Sequence, residues 1–108
     1  MFRLEGNTIR IIRGDTGILS LSIDNYKIAP GDLVTFTVKR YIEDIDHVIK
    51  KIIDQFEDGK AKIILSEADT LNLEPGKYVY DIQVNLQDGR IDTVITPSQF
   101  IIERGVTE

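Results

Sequence analysis

The chain has 108 residues, of which 42% are apolar and 29% charged, and its formal net charge is −5. This is the size and composition of one folded domain, so we expect a single domain over residues 1–108. The acidic balance argues against binding to nucleic acid, whose phosphates require a basic surface. The sequence has no cysteine, which excludes disulfides and thiolate zinc sites.

The first residues, MFRLEGNTIR, lack the apolar run of a secretory signal, and no stretch is apolar for long enough to cross a bilayer. We therefore expect no secretion signal and no membrane partner.

Three strands are predicted in the first forty residues, each followed by turn residues. The first covers residues 8–13. The second and third alternate apolar and polar residues, the apolar positions being Leu19, Leu21 and Ile23, then Val34, Phe36 and Val38. The clusters that separate them are Gly14-Asp15-Thr16-Gly17 and Ala29-Pro30-Gly31-Asp32.

Residues 45–56 allow two interpretations. Their apolar residues follow helical spacing: Ile45, Val48, Ile49, Ile52, Ile53 and Phe56. Five of these six are β-branched, however, and the Asp58-Gly59 that follows is a hairpin signal. We predict a strand over residues 48–56, with a bulge near Lys50-Lys51, that pairs through this turn with a strand over residues 60–66. An amphipathic helix is the alternative.

Ser66 and Asp69 have the spacing of a capping box, which predicts one helical turn after residue 66.

The stretch EPGKYVYD gives the most specific structural signal. From residue 77 to 86 every even position is apolar or aromatic, a period of two that predicts a strand with one face on a core. Tyr78 follows a turn that contains Gly76, and Tyr80 stands two residues later. This is the layout of the tyrosine corner in immunoglobulin-like sandwiches, where the tyrosine hydroxyl bonds to backbone a few residues upstream.

A hairpin is predicted after this strand. Asp88-Gly89 suits a type I′ turn, and the return strand carries Ile91, Thr93 and Ile95 on one face. Pro97 cannot donate a ladder hydrogen bond, so it indicates a bulge or a sheet edge. Together the elements predict an all-β, immunoglobulin-like antiparallel β-sandwich of about seven to eight strands with one short helical turn.

The residue pattern gives little support for a catalytic site. The single histidine, His47, has no predicted nucleophile beside it. Glu43, Asp44 and Asp46 lack the pattern of a calcium loop. We expect no catalytic residue, no metal site and no cofactor.

A binding surface is the one functional site that the pattern suggests. Val79 lies on the otherwise polar face of its strand, and Val94 is out of phase with Ile91 and Ile95. Unpaired sheet edges accept strands from other chains, and Pro97 marks a candidate edge. Val79, Val94 and Pro97 are therefore the predicted interface residues, with scattered exposed apolar residues as the alternative explanation.

Several segments carry a resemblance to a known family: RGDTGILSLSI, DGKAKIILSEADT, LEPGKYVYDIQV and TVITPSQFIIERGVT. The chain resembles the small immunoglobulin-like proteins of tailed phages and Gram-positive prophages. It is similar in particular to the N-terminal immunoglobulin-like domain of upper baseplate proteins, over about residues 8–107.

The resemblance implies a non-enzymatic virion or tail-associated module that binds other virion or tail proteins, with a homo-oligomer as a further expectation. A bacterial surface or carbohydrate-binding sandwich is the alternative, and Tyr26 and Tyr41 are its candidate sugar-stacking residues.

Overall fold

A computed structural model describes residues 2–106, which form eight strands and one short helix. The strands are β1 (Phe2–Glu5), β2 (Thr8–Ile12), β3 (Gly17–Leu21), β4 (Leu33–Lys39), β5 (Ile49–Ile53), β6 (Ala61–Leu65), β7 (Gly76–Asn85) and β8 (Ile91–Glu103), and the helix is α1 (Glu67–Leu71). The predicted all-β fold with one short helical turn is confirmed. β1 was not predicted, because FRLE alternates apolar and charged residues over only four positions.

The strands form two layers. One sheet has six strands in the order β1-β2-β8-β7-β4-β5, and the other contains β3 and β6. Neighbours are antiparallel with one exception, since β2 and β8 run parallel. The expectation of a purely antiparallel sandwich is corrected at this pair. Its strands come from opposite ends of the chain, so no short turn dictates their direction.

The core lies between the layers and follows the period of two. In β7 the even residues are at most 4% exposed: Tyr78, Tyr80, Ile82 and Val84. β4 contributes Phe36, whose ring centroid lies 5.5 Å from that of Tyr80 and 6.2 Å from that of Phe100 in β8. These rings join three neighbouring strands in one aromatic cluster.

β5 confirms the strand interpretation of the ambiguous segment and corrects two details. The strand is shorter than predicted, and the predicted bulge near Lys50-Lys51 is absent, because β5 pairs with β4 in unbroken register from Ile49 to Ile53. The apparent helical spacing arises because Ile45 and Val48 lie outside the strand, while Ile52 faces outward at the sheet edge.

The Asp58-Gly59 turn forms, but the predicted hairpin does not. Both residues have positive φ, 53° and 72°, and a single bridge joins Glu57 to Lys60. β5 then pairs with β4 and β6 with β3, so the turn carries the chain from one layer to the other.

The β7–β8 hairpin forms with a different turn from the predicted type I′. Only Gly89 has positive φ (93°), while the Asp88 side chain accepts a hydrogen bond from the Arg90 amide at 3.0 Å. Leu86 donates to the carbonyl of Arg90, which leaves a three-residue loop closed by a left-handed glycine.

β8 contains two register shifts against β7, at Val94 and around Thr96-Pro97. The expected bulge at Pro97 is therefore present. Because each bulge reverses the alternation, Ile91 and Thr93 lie opposite Asn85 and Gln83 on the outer face, not on the predicted core face. Ile95, opposite Ile82, packs against the core as expected.

The helix α1 begins at the predicted capping box, with the Ser66 amide donating to Asp69 Oδ2 at 2.7 Å. In the described part of the chain no helix has the length and apolarity required to span a membrane.

Candidate protein-binding surface

The outer face of the six-stranded sheet carries a concavity, which we call the outer groove. Its apolar residues are Ile42, Val79 and Pro97, and its volume is about 230 Å³. Its polar lining residues are Thr37, Lys39, Asp81 and Gln83. Val79 faces outward because the even residues of β7 face the core, and the bulge in β8 brings Pro97 beside it.

The loop that follows β4 forms one wall of the outer groove. Asp44 holds it in a turn: its Oδ2 accepts the Tyr41 amide at 3.0 Å, and its own amide donates to the Tyr41 carbonyl at the same distance. Lys39 Nζ donates to the Asp44 carbonyl at 2.8 Å. Ile42 lies inside this turn, whose backbone these hydrogen bonds fix, and its side chain is 61% exposed.

Arg40 ties this loop to the start of β7. Its guanidinium carbon lies 4.6 Å from the ring centroid of Tyr78 and 5.6 Å from that of Tyr41, and its Nη1 donates to the Lys77 carbonyl at 2.9 Å. A Cβ on Gly76, where φ is +151°, would lie 2.7 Å from Arg40 Nη1, so glycine leaves the space that the guanidinium fills.

Tyr78 has the hydrogen bond that a tyrosine corner requires. Its hydroxyl donates to the Glu74 carbonyl at 2.7 Å. Burial raises the pKa of Tyr78, while the nearby charge of Arg40 opposes that rise. Tyr80 is 3% exposed, and its hydroxyl donates to the carbonyl of Asn7 in the β1–β2 turn. Burial raises its pKa as well.

The loop exposes more apolar surface than its position in the chain suggested. Tyr41, Ile42 and Ile45 are 56%, 61% and 94% exposed. Ile42 was not among the predicted interface residues, although its apolar side chain in a loop beside Glu43 and Asp44 was a usable signal. Exposed apolar residues grouped this way are typical of interaction surfaces.

The three predicted interface residues divide between the two faces of the sheet. Val79 and Pro97 meet in the outer groove. Val94 does not, because it packs against the core, beside Ile23 and Val84. The bulge at Val94 turns its side chain toward the inner face, so its assignment to the outer face is wrong.

Asp32 is a buried carboxylate that the sequence did not single out. It accepts hydrogen bonds from the Tyr26 hydroxyl at 2.6 Å and from the amides of Ala29 at 3.0 Å and Gln87 at 3.1 Å. Burial opposes ionisation of Asp32, but these hydrogen bonds outweigh it and hold its pKa below the ordinary value. Asp32 thereby joins the loop before β4 to the β7–β8 turn.

The described residues bring together no metal-binding cluster. His47 is exposed, and no group of three His, Cys, Asp or Glu side chains within residues 2–106 is arranged to hold a metal ion. The outer groove combines apolar and polar lining residues with a wall held by hydrogen bonds, which suits contact with another protein.

The chain matches no protein-family model, and searches of the curated proteins and of the solved structures found no match either.

Proposed function

We propose that this chain is a non-enzymatic protein-binding module that docks a neighbouring protein in the outer groove. The observation that supports this proposal is the outer groove itself, where Ile42, Val79 and Pro97 come from three separate elements and line one concavity together with polar residues. Protein interfaces contain both apolar and polar residues, and a partner that covers these three side chains would remove their apolar surface from water.

The pre-formed wall favours tight docking. Asp44 and Lys39 fix the turn that presents Ile42, and Arg40 fixes the base of the loop. A surface that is already ordered loses little conformational entropy when a partner binds.

The partner class follows from the sequence resemblance. A chain similar to the immunoglobulin-like domains of phage and prophage baseplates would bind other virion or tail proteins and reside in the virion. Two features support an immunoglobulin-like assignment: the Tyr78–Glu74 hydrogen bond and the order β2-β8-β7-β4-β5, with β3 and β6 in the opposite layer.

The carbohydrate-binding alternative has one supporting residue. Tyr41 is 56% exposed, but Arg40 already lies over its ring. Tyr26 commits its hydroxyl to Asp32. Sugar recognition would therefore use a single tyrosine at the margin of the outer groove, which makes protein binding the better proposal.

Site-specific photo-crosslinking tests the proposal. A photo-reactive amino acid is placed at Ile42 in host cells that are induced to produce phage particles, and adducts are identified by mass spectrometry. We expect one dominant adduct with a tail or baseplate protein. The matched control is Ile64, which is 58% exposed on the opposite layer and should give no such adduct.

A substitution adds a quantitative test. Val79→Lys replaces one of the three apolar lining residues of the outer groove with a charge, so incorporation of the chain into purified particles should fall at least about tenfold. Ile64→Lys should leave incorporation unchanged. If the chain is absent from the particles, or the two positions crosslink alike, the proposal fails.

A further inference from the structure

Exposed sheet edges accept strands from other chains, and folded proteins protect them with charges, prolines and bulges. The six-stranded sheet ends at β1 and β5, and it also opens along residues 91–99 of β8, because β2 pairs only with Phe100–Glu103. Each of these edges has protection. The protecting residues are Arg3 and Glu5 in β1, Lys50 and Lys51 in β5, and Asp92, Pro97 and the two bulges in β8.

The small sheet differs at one of its two edges. β6 carries Lys62, whereas β3 reads GILSL and contains neither a charge nor a proline. Within residues 2–106 no strand pairs with the second side of β3. Its Gly17–Leu21 backbone therefore presents hydrogen-bonding groups along an uncharged strand.

Side chains on β3 also leave apolar surface uncovered. Ile18 and Ile64 form a cross-strand pair on the outward face, 59% and 58% exposed. Leu19 faces the core opposite the fully buried Ile63, yet it is only partly buried. Phe2 of β1 covers the Gly17 end of this margin, whereas the core stays incompletely closed around Leu19, beside the edge that lacks a partner strand.

We propose that β3 pairs antiparallel with β3 of a second copy of this chain, with the two-fold axis at Leu19. The inference concerns the layer opposite the outer groove and does not depend on the proposed function. In this register Gly17 faces Leu21 of the second copy, and Ile18 faces Ser20. The two small sheets become one four-stranded sheet in the order β6-β3-β3-β6.

The β3 edge is complementary to itself, which identifies a second copy of this chain as the partner that pairs with it. The paired segments contain no charge, so the two-fold brings no like charges together, although each chain carries a net charge of −5. The same operation on β5 would place Lys51 opposite itself, which is unfavourable. At β3 the axis places Leu19 against Leu19 and covers the surface that each copy leaves exposed.

Two double variants that differ only in the sign of one charge test this register. Ile18→Glu with Ser20→Glu places glutamates opposite each other at two symmetry-related positions. Ile18→Lys with Ser20→Glu places lysine opposite glutamate at the same two positions. Both share Ser20→Glu, which faces Lys62 within its own chain and is compatible with the monomer fold.

We expect the parent to dimerise with rising concentration in sedimentation equilibrium. The lysine–glutamate variant should dimerise as well, and the Kd of the glutamate–glutamate variant should be at least about tenfold higher than that of the lysine–glutamate variant. Val79→Lys, on the opposite layer, should leave the dimer unchanged. A parent that stays monomeric at millimolar concentration, or two double variants that associate equally, would overturn the proposal.

Hydrogen exchange keeps the test valid if a variant fails to fold. In the parent, amides of residues 17–21 should exchange more slowly at high than at low protein concentration, because pairing protects the amides on the free side of β3. Amides of β5 serve as the internal control and should not respond. Exchange in β3 that is independent of concentration also overturns the proposal.

Discussion

Asp32 shows how a single buried carboxylate stabilises two loops. It is fully buried and accepts hydrogen bonds from Tyr26, Ala29 and Gln87. In Asp32→Asn the amide NH₂ group faces one backbone donor in either orientation, the amide of Ala29 or that of Gln87, so the free energy of unfolding at pH 7 should fall by about 1–3 kcal/mol. Urea unfolding followed by circular dichroism measures this loss.

The same residue predicts a pH dependence. The pKa of Asp32 is lower in the folded chain than its unfolded value of about 3.9, so its stabilising effect is complete above that pH and is lost as the pH falls through the folded pKa. Below about pH 4 the parent should therefore lose stability more steeply than Asp32→Asn. Burial opposes ionisation of Asp69 as well, but hydrogen bonds from Lys51 and Ser66 hold its pKa below the ordinary value. Asp69 therefore makes the stability of both proteins fall with decreasing pH. The exposed Asp24→Asn is the control, and an Asp32→Asn protein as stable as the parent at pH 7 contradicts the account.

At the level of elements, the sequence predicted the strands in which alternation of apolar and polar residues extends over five or more positions. β7 is the clearest case, because its even residues are buried from Tyr78 to Val84. β8 was predicted wrongly over residues 91–94, since a bulge changes which residues face the core without leaving a pattern that spacing alone reveals. The sequence predicted only part of the outer groove. Val79 follows from the period of β7, whereas Ile42 lies in a loop whose conformation depends on Asp44 and Lys39.

Strand pairing between distant segments was the least predictable feature. The Asp58-Gly59 turn formed with the expected φ values, yet β5 and β6 belong to different layers. A turn sets local direction only, while the choice of neighbour depends on burial across the whole sandwich. The Gln87 donor to Asp32 was equally hidden, because it is 55 residues away in sequence.

A contact between β1 and β3 gives a prediction at this scale. An ideal Cβ on Gly17 would lie 2.7 Å from Phe2 Cγ and 2.9 Å from Phe2 Cβ. Gly17→Ala should therefore destabilise the fold by about 1–3 kcal/mol through overpacking. In the Gly17→Ala background Phe2→Ala should cost less than it does in the parent, because removing the ring relieves the overlap.

Chemical denaturation of the four proteins in this cycle measures the coupling. Ser20→Ala, on the exposed face of the same strand, should change stability by no more than about 0.5 kcal/mol. Additive effects of Gly17→Ala and Phe2→Ala would show that Phe2 does not close the core at this position.

For the whole molecule, the topology predicts a single cooperative unfolding transition. A two-stranded sheet is not stable alone, and β3 and β6 bury their inner faces only against the six-stranded sheet. The parallel pairing of β2 with β8 also joins residues 9–12 to residues 100–103, so neither end of the chain can separate without opening the core. Circular dichroism reports the strands, and tyrosine fluorescence reports all four tyrosines, of which Tyr78 and Tyr80 are buried in the core. The two should give the same midpoint at low protein concentration, with a heat-capacity change of about 1.3–1.6 kcal/mol/K for a chain of this size. Two separate midpoints would mean that one layer persists without the other, and the shared core would then not be what holds the sandwich together.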